Sequence, residues 1–117
     1  MVERRDRIII PVTIASGQSL SGEVNVNALE IVGIEMPTGW DAASITFAAL
    51  VADGVTFGKV QNAGGSEVTM TTPAANVYVA VADGALRGLG RIKVRSGTAG
   101  AAVNQTAQRV LRLVCLT

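Results

Sequence analysis

Side chains that commonly carry out catalysis are sparse in this sequence. The chain has no histidine, so it lacks the commonest general base and transition-metal ligand. Its one cysteine, Cys115, lies in the apolar run "LRLVCLT" and has no second cysteine with which to form an intrachain disulfide. No serine lies in a nucleophile-elbow pattern, and the carboxylates are scattered along the chain. We therefore expect a protein that is not an enzyme and that uses no metal or other cofactor.

Two Asp-Gly pairs are the next candidates for chemistry. "VADGVTFG" begins at Val51 and "VADGALRG" at Val81, but the sequences that flank the shared letters do not align. A calcium site needs several oxygen ligands, and each stretch supplies one carboxylate, from Asp53 or from Asp83. We interpret both stretches as turns rather than as a metal site or an internal repeat. The first should close a hairpin, and the second should form a wider connection, for which a crossing between sheets is one possibility.

Charged and aromatic residues indicate binding more than catalysis. Ten Lys and Arg against nine Asp and Glu leave a net charge of +1, which does not favour broad nucleic-acid binding. Basic residues nevertheless cluster near the N-terminus and between residues 87 and 95, either as solvated faces or as a docking surface for an acidic partner. Trp40, in the loop "MPTGWDAA", either caps the end of a core, stacks on a sugar ring or anchors an interface. The candidate partner-docking residues are Arg4, Arg5, Arg7, Trp40, Asp41, Arg87, Arg91 and Arg95.

Short apolar runs separated by Gly, Asp, Asn, Ser and Pro are the dominant structural pattern. In "RIKVRS" the alternation places Ile92 and Val94 inward, and in "VYVAV" it places Tyr78 on the face opposite its valines. Pro11 within the first run suits an edge strand or a bulge. The sequence predicts eight or nine strands, at residues 7–14, 20–26, 29–36, 44–51, 55–60, 68–72, 77–81, 91–96 and 107–117.

These strands and the absence of a convincing amphipathic helix define the expected fold. We predict an all-β, single-domain antiparallel β-sandwich or jelly roll, in which two apolar sheets face each other. Residues 8–117 should form the sandwich, and residues 1–7 should form a basic N-terminal arm. The N-terminal apolar run is too short for a signal peptide, and no segment approaches the length of a membrane-spanning helix.

Two segments resemble small virion proteins of tailed bacteriophages. They are "PTGWDAASITFAALVADGVTFGKV" and "LGRIKVRSGTAGAAVNQTAQRVLRLV", and they carry the patterns Pro-x-x-Trp-Asp-Ala-Ala, Asp-Gly-Val-Thr-Phe and Val-Arg-Ser-Gly-Thr. The resemblance covers roughly residues 8 to 117. The middle of the chain is also similar to discoidin or galactose-binding-like jelly rolls, although it lacks the cysteine pair often found in discoidin domains.

The phage resemblance implies a non-enzymatic structural protein of the virion, assembled in the cytoplasm of the bacterial host. A capsid decoration, or cement, protein that binds and stabilises the phage head is the expected role, with the major capsid protein or other virion proteins as partners. A tail, neck or fibre module is the alternative within the virion, and a glycan-binding module is the alternative that the discoidin likeness implies. We expect a homo-oligomer, either a dimer or a trimer, and we expect neither nucleic acid nor membrane as a partner.

Overall fold

A computed structural model describes residues 5–117, and these residues form nine β-strands and no helix. The connections between the strands are rich in Gly, Asn, Asp and Ser, as expected for runs of β-branched residues separated by turn formers. The strands are β1 (Arg7–Ile14), β2 (Val24–Asn25), β3 (Glu30–Glu35), β4 (Ile45–Leu50), β5 (Phe57–Lys59), β6 (Tyr78–Ala80), β7 (Arg91–Thr98), β8 (Ala101–Ala102) and β9 (Arg109–Leu116).

The strands form two antiparallel sheets, so the predicted all-β sandwich is confirmed. The order is β1-β9-β3-β6 in the four-stranded sheet and β2-β7-β4-β5 in the five-stranded sheet, where β8 pairs with β7. The last strand of the chain, β9, therefore lies between β1 and β3, with Ile9 and Gly33 on either side of Val114. A β-bulge in β3, between Ile31 and Gly33, shifts the register beside β9.

One continuous core fills the space between the sheets. Alternation places one side of each strand inward, and Ile92 and Val94 of β7 are fully buried, as the sequence predicts. Phe47 is the largest fully buried side chain. Because aromatic residues are few, the core consists mainly of aliphatic side chains: Val12, Ile14, Val26, Ile31, Ile34, Met36, Ile45, Val68, Met70, Leu86, Leu111, Leu113 and Cys115 join those already named.

The edge strand β1 shows how the fold accommodates Pro11. The Thr13 carbonyl accepts a hydrogen bond from the Gly22 amide at 3.4 Å, on the side of β1 that faces away from β9. Backbone groups alternate in direction along a strand, so Pro11 also faces away from β9. Its missing N–H therefore removes no hydrogen bond from the sheet, in agreement with the edge position that the sequence predicts.

Two predicted boundaries are wrong in an informative way. Residues 68–72 form one isolated bridge, between Met70 and Ile45, and not a regular strand. Conversely, the predicted strands leave residues 97–106 as a connecting loop, yet Ala101 and Ala102 pair with the end of β7. Alternating Val, Thr and Met residues predict an extended backbone correctly, but they do not specify whether a neighbouring strand is close enough for continuous pairing.

Within the described residues, no helix is long and apolar enough to cross a membrane.

Gly97 in β7 provides a test of the turn into β8. Its φ is +93°, and an added Cβ would lie 2.5 Å from the backbone oxygen of Ala101. We expect Gly97→Ala to lower the free energy of unfolding by more than about 1 kcal/mol, because both the backbone conformation and the space are unsuitable. Gly100→Ala, in the same turn, has no atom within 4 Å of the added Cβ and should change the stability by less than about 1 kcal/mol. Urea unfolding of both variants measures the difference, and equal effects would contradict this account.

Candidate functional site

The structure pairs the described candidate arginines with carboxylates of the same chain. Arg4 lies outside the described residues. The cluster that the sequence shows between residues 87 and 95 is divided among separate ion pairs, and the Arg95 side chain is only 11% exposed. The pairs are Arg5 and Arg87 with Glu30, Arg7 with Glu35, Arg91 with Glu23, and Arg95 with Glu67.

Glu30 forms the centre of a cluster that joins the start of the chain to the β6–β7 connection. Its Oε1 lies 3.0 Å from Arg5, its Oε2 lies 3.2 Å from Arg87, and the residue is 7% exposed. The hydrogen bond from Arg5 and the interactions with Arg87 lower the pKa of Glu30, although burial opposes them. A shallow cavity of about 290 Å³ lies beside the cluster, with Asn27 and Gly88 in its wall. Two arginines that sequence places 82 positions apart thus share one carboxylate.

The described part of the predicted N-terminal arm lies against the last residue of the chain. Arg7 is the first residue of β1, and its guanidinium lies 2.9 Å from Glu35. The Asp6 amide donates to the Thr117 hydroxyl at 3.0 Å, and the Thr117 amide donates to the Asp6 carbonyl at 3.1 Å. Arg5 donates to the Thr117 carbonyl at 2.9 Å. Residues 5–7 are therefore tied to the sandwich by both backbone and side-chain contacts.

Trp40 packs against one end of the core. Its ring is partly buried against the main hydrophobic cluster, and its indole N–H donates to the Ala43 carbonyl at 3.0 Å. Because the single polar group of the indole already has a partner, this placement favours the capping interpretation over the sugar-stacking one.

A buried amide holds the Trp40 loop to the segment before β9. Gln105 is fully buried, and its side chain bonds to the backbone of Asp41 in both directions: Oε1 accepts from the Asp41 amide at 2.9 Å, and Nε2 donates to the Asp41 carbonyl at 3.2 Å. Nε2 also donates to the Ser96 hydroxyl at 2.8 Å, and Oε1 accepts from Arg109 at 3.1 Å. The Gln105 backbone meanwhile bonds to Gly17 and Gln18. One residue thus links four separate segments.

The Asp41 carboxylate completes this polar cluster. It accepts hydrogen bonds from the Thr106 amide at 2.7 Å, from the Thr106 hydroxyl at 3.1 Å and from the Arg109 guanidinium at 2.9 Å. The bonds from Thr106, followed by those from Arg109, lower the pKa of Asp41. Arg109 also lies so close to Gly39 that an added Cβ there would be 2.6 Å from the guanidinium.

Two segments that lie 64 positions apart in the sequence meet in this cluster. "GWDAA" supplies Asp41, and "NQTAQR" supplies Gln105, Thr106 and Arg109. Sequence reasoning identified Asp41 but missed the other three. The sequence carries no signal for these three residues, because nothing in either segment alone indicates that the two segments touch.

The two Val-Ala-Asp-Gly stretches form different turns. The first connects β4 to β5, and Asp53 Oδ1 accepts from the Val55 and Thr56 amides at 2.9 and 2.8 Å. In the second, the Ala85 amide donates to the Ala82 carbonyl at 3.0 Å, and the chain passes from β6 in one sheet to β7 in the other. Both glycines have positive φ, +74° at Gly54 and +75° at Gly84. The hairpin, the sheet crossing and the turn interpretation are confirmed.

The outer face of the four-stranded sheet carries both apolar and charged residues. We use this name for the residues on the side of the sheet that faces away from the core: Ile9, Pro11, Gly33, Glu35, Tyr78, Ala80, Val110, Arg112 and Val114. Tyr78 is 53% exposed and lies over Gly33, so it points away from the core as the sequence predicts. Val110 is 39% exposed, whereas Val114 is buried. The register explains this burial, since the ion pair from Arg7 to Glu35 crosses β9 above Val114.

Within residues 5–117, no group of three or more Cys, Asp or Glu side chains is arranged to hold a metal ion. Cys115 is buried in the core, and burial raises the pKa of its thiol. The hydrogen bonds of Asp41 and Gln105 instead connect loops to neighbouring strands.

Replacement of Gln105 tests the linking cluster. Gln105→Ala should lower the free energy of unfolding by about 2–4 kcal/mol, because it leaves a cavity and removes partners from the Asp41 backbone and Arg109. Gln108→Ala provides the matched control, since Gln108 is exposed in the same segment, and it should change the stability by less than about 0.5 kcal/mol. Urea unfolding followed by circular dichroism measures both. A Gln105→Ala variant as stable as Gln108→Ala would show that the cluster is dispensable.

The Asp53 turn predicts a pH dependence. The Thr56 hydroxyl, followed by the Thr56 and Val55 amides, lowers the pKa of Asp53 to about 2. The pKa of an aspartate in the unfolded chain is about 4. The Asp53 carboxylate therefore contributes fully to the free energy of unfolding above that pH, and this contribution is lost as the pH falls through about 2. The difference in urea midpoint between wild type and Asp53→Ala should therefore be large near neutral pH and disappear near pH ~2.

Asp83→Ala is the control for this titration, because within residues 5–117 the Asp83 carboxylate accepts no hydrogen bond. It should leave the urea midpoint nearly unchanged at both pH values. A difference between wild type and Asp53→Ala that stays constant with pH would contradict the proposed role of the Asp53 carboxylate.

Comparisons with known proteins place no further constraint on this site. No protein-family model matches the chain, and no curated protein or solved structure is similar to it at a significant level.

Proposed function

We propose that this protein is a structural component of a bacteriophage virion, and specifically a capsid decoration protein that binds and stabilises the head. The observation that carries the proposal is the outer face of the four-stranded sheet, where the exposed Pro11, Tyr78 and Val110 lie on the same side of the sheet as the exposed Arg112. Exposed apolar patches of this kind are typical of protein–protein contact sites. The likeness of two segments to phage virion proteins supplies the setting.

The register gives this face a regular composition. One row across the four strands consists of Pro11, Arg112, Glu35 and Tyr78. Glu35 is paired with Arg7, whereas Arg112 is exposed and forms no ion pair with the rest of residues 5–117. A row with apolar ends and a free guanidinium suits an apolar partner surface that carries a carboxylate.

A decoration protein needs stiffness more than reactivity. Each copy that bridges neighbouring capsomers contributes a modest interface, and the repeated lattice multiplies the effect. The ties from Arg5, Asp6 and Arg7 to the last strands, together with the Gln105 cluster, hold the loops and both ends of the described chain against the sandwich. Little conformational entropy would then be lost on binding.

The structure bears differently on the two alternative functions. A tail, neck or fibre module would use the same surface, and copy number in purified virions separates it from a decoration protein. A copy number that matches the number of capsomers supports a decoration protein. A copy number that matches one ring of subunits in the tail or neck contradicts it. The glycan-binding alternative depends on Trp40 and on the discoidin likeness, and the partly buried ring of Trp40 and its engaged indole N–H weigh against the first of these.

The outer face can be tested directly with heads of the phage that encodes the protein. Val110→Asp should weaken binding to expanded heads by about tenfold or more, because it replaces an exposed apolar side chain of the outer face with a charge. Val55→Asp is the matched control: Val55 is 79% exposed in the β4–β5 turn, away from the outer face, and its replacement should leave binding unchanged. Co-sedimentation measures both affinities, and thermal unfolding verifies that Val110→Asp is folded. Equal binding by a folded Val110→Asp variant would exclude this face.

A further inference from the structure

The two lateral seams of the sandwich differ. On one side, residues 20–24 bridge the sheets: Ser21 exchanges hydrogen bonds with Val94 of β7, and the Gly22 amide donates to Thr13 of β1. On the other side, between β6 and the extended segment Val68–Met70, no backbone hydrogen bond of the described chain joins the sheets. A cavity of about 520 Å³ occupies this open seam.

The first wall of the open seam is the free edge of β6. The Val81 amide donates to Val32, and the Val77 carbonyl accepts from Met36, so the odd-numbered residues of β6 bond to β3. Backbone groups alternate along a strand, so the N–H and C=O of Tyr78 and Ala80 point away from β3, and Ala80 lines the cavity. Within residues 5–117, no hydrogen bond satisfies these groups.

The second wall has the same property. Met70 exchanges two hydrogen bonds with Ile45, both at 2.9 Å, and the Val68 amide donates to Val60 at 2.9 Å. Thr69 lies between them, so its backbone N–H and C=O point away from the five-stranded sheet. Within the described residues, these backbone groups also have no partner, and the Thr69 hydroxyl donates to the Glu67 carbonyl.

This seam contrasts with the edge at β1. There, Pro11 removes a donor and Gly22 occupies an acceptor, which makes the addition of another strand unfavourable. At β6 neither device is present, although proteins usually cover or interrupt a free edge. Side chains of Val68, Met70 and Val79 provide an apolar lining between the two walls.

The charges around the cavity are acidic. Glu67 lies in the wall but is already paired with Arg95 and with the Ala99 amide. Ala82 and Ala85 also line the cavity, and the exposed Asp83 between them forms no ion pair with the described residues. An occupant with a cation at this end would complement that carboxylate.

We propose that the open seam binds an extended segment of a partner polypeptide as an added β-strand. The segment bonds to Tyr78 and Ala80 on one side and to Thr69 on the other, and so joins the two sheets. It presents small apolar side chains to Val79 and Met70, and it carries a Lys or Arg near Asp83. This is strand addition, in which the main chain supplies the binding and the side chains supply the selectivity. The inference does not depend on the virion role.

The probe is the acetylated and amidated peptide Lys-Thr-Val-Thr-Val-Thr-Ala, added to the ¹⁵N-labelled full chain. We expect saturable chemical-shift changes at the amides of Thr69, Tyr78 and Ala80. A version of the peptide with every second amide N-methylated loses one of its two ladders, and its binding should be weakened by about tenfold or more. Absence of saturable shifts up to millimolar peptide, or shifts confined to another surface, would overturn the proposal.

Two charge variants separate the cation contact from a change in overall charge. Asp83→Lys should weaken binding of the probe by about two- to fivefold, as expected for an exposed ion pair. Asp6→Lys makes the same change in net charge beside Thr117, at the far edge of the same sheet, and should leave binding unchanged. Equal weakening by both variants would contradict the Asp83 contact. Concentration-dependent shifts of the same amides without peptide would assign the seam to a second copy of this chain and overturn the foreign-strand proposal.

Discussion

The position of β9 is the constraint on which the rest of this structure depends. The last strand lies between β1 and β3, so the four-stranded sheet becomes continuous only when residues more than 100 positions apart have paired, as Arg7 and Leu116 do. Leu111, Leu113 and Cys115 then bring three fully buried side chains into the core. Topologies with such distant pairings lose much chain entropy before the contacts compensate for it, and this makes folding slow relative to proteins with local contacts.

The Gln105 cluster explains how the loops are held once β9 is in place. Gln105 precedes β9 by four residues, and its amide connects the Trp40 loop, the 17–18 turn, β7 and Arg109. A buried amide is costly without partners, but here both atoms of the side chain are fully engaged. The same hydrogen bonds fix the conformation of the loops at this end of the sandwich, because no apolar residue could replace so many directed bonds.

The sequence predicts the architecture better than it predicts the contacts. Alternation in "RIKVRS" places Ile92 and Val94 correctly, because a sheet with one buried face imposes a period of two. The loop "NQTAQR" has no such period, so the partnership of Gln105 with Asp41 is not visible in a single sequence. The basic cluster at residues 87–95 is compatible with either solvated faces or one docking surface, and the fold pairs each of its arginines with a different carboxylate. Sequence proximity is a poor guide to charge patches where strands alternate and the chain changes sheets.

Trp40 has a consequence for experiments. It is the only tryptophan, and its ring lies beside the loop that Gln105 secures, with the indole bonded to Ala43. Intrinsic fluorescence of this protein therefore reports on one end of the sandwich. An opening of that end would change the emission while the β-sheet signal in circular dichroism stayed constant, so a disagreement between the two spectroscopic probes would locate partial unfolding without any added label.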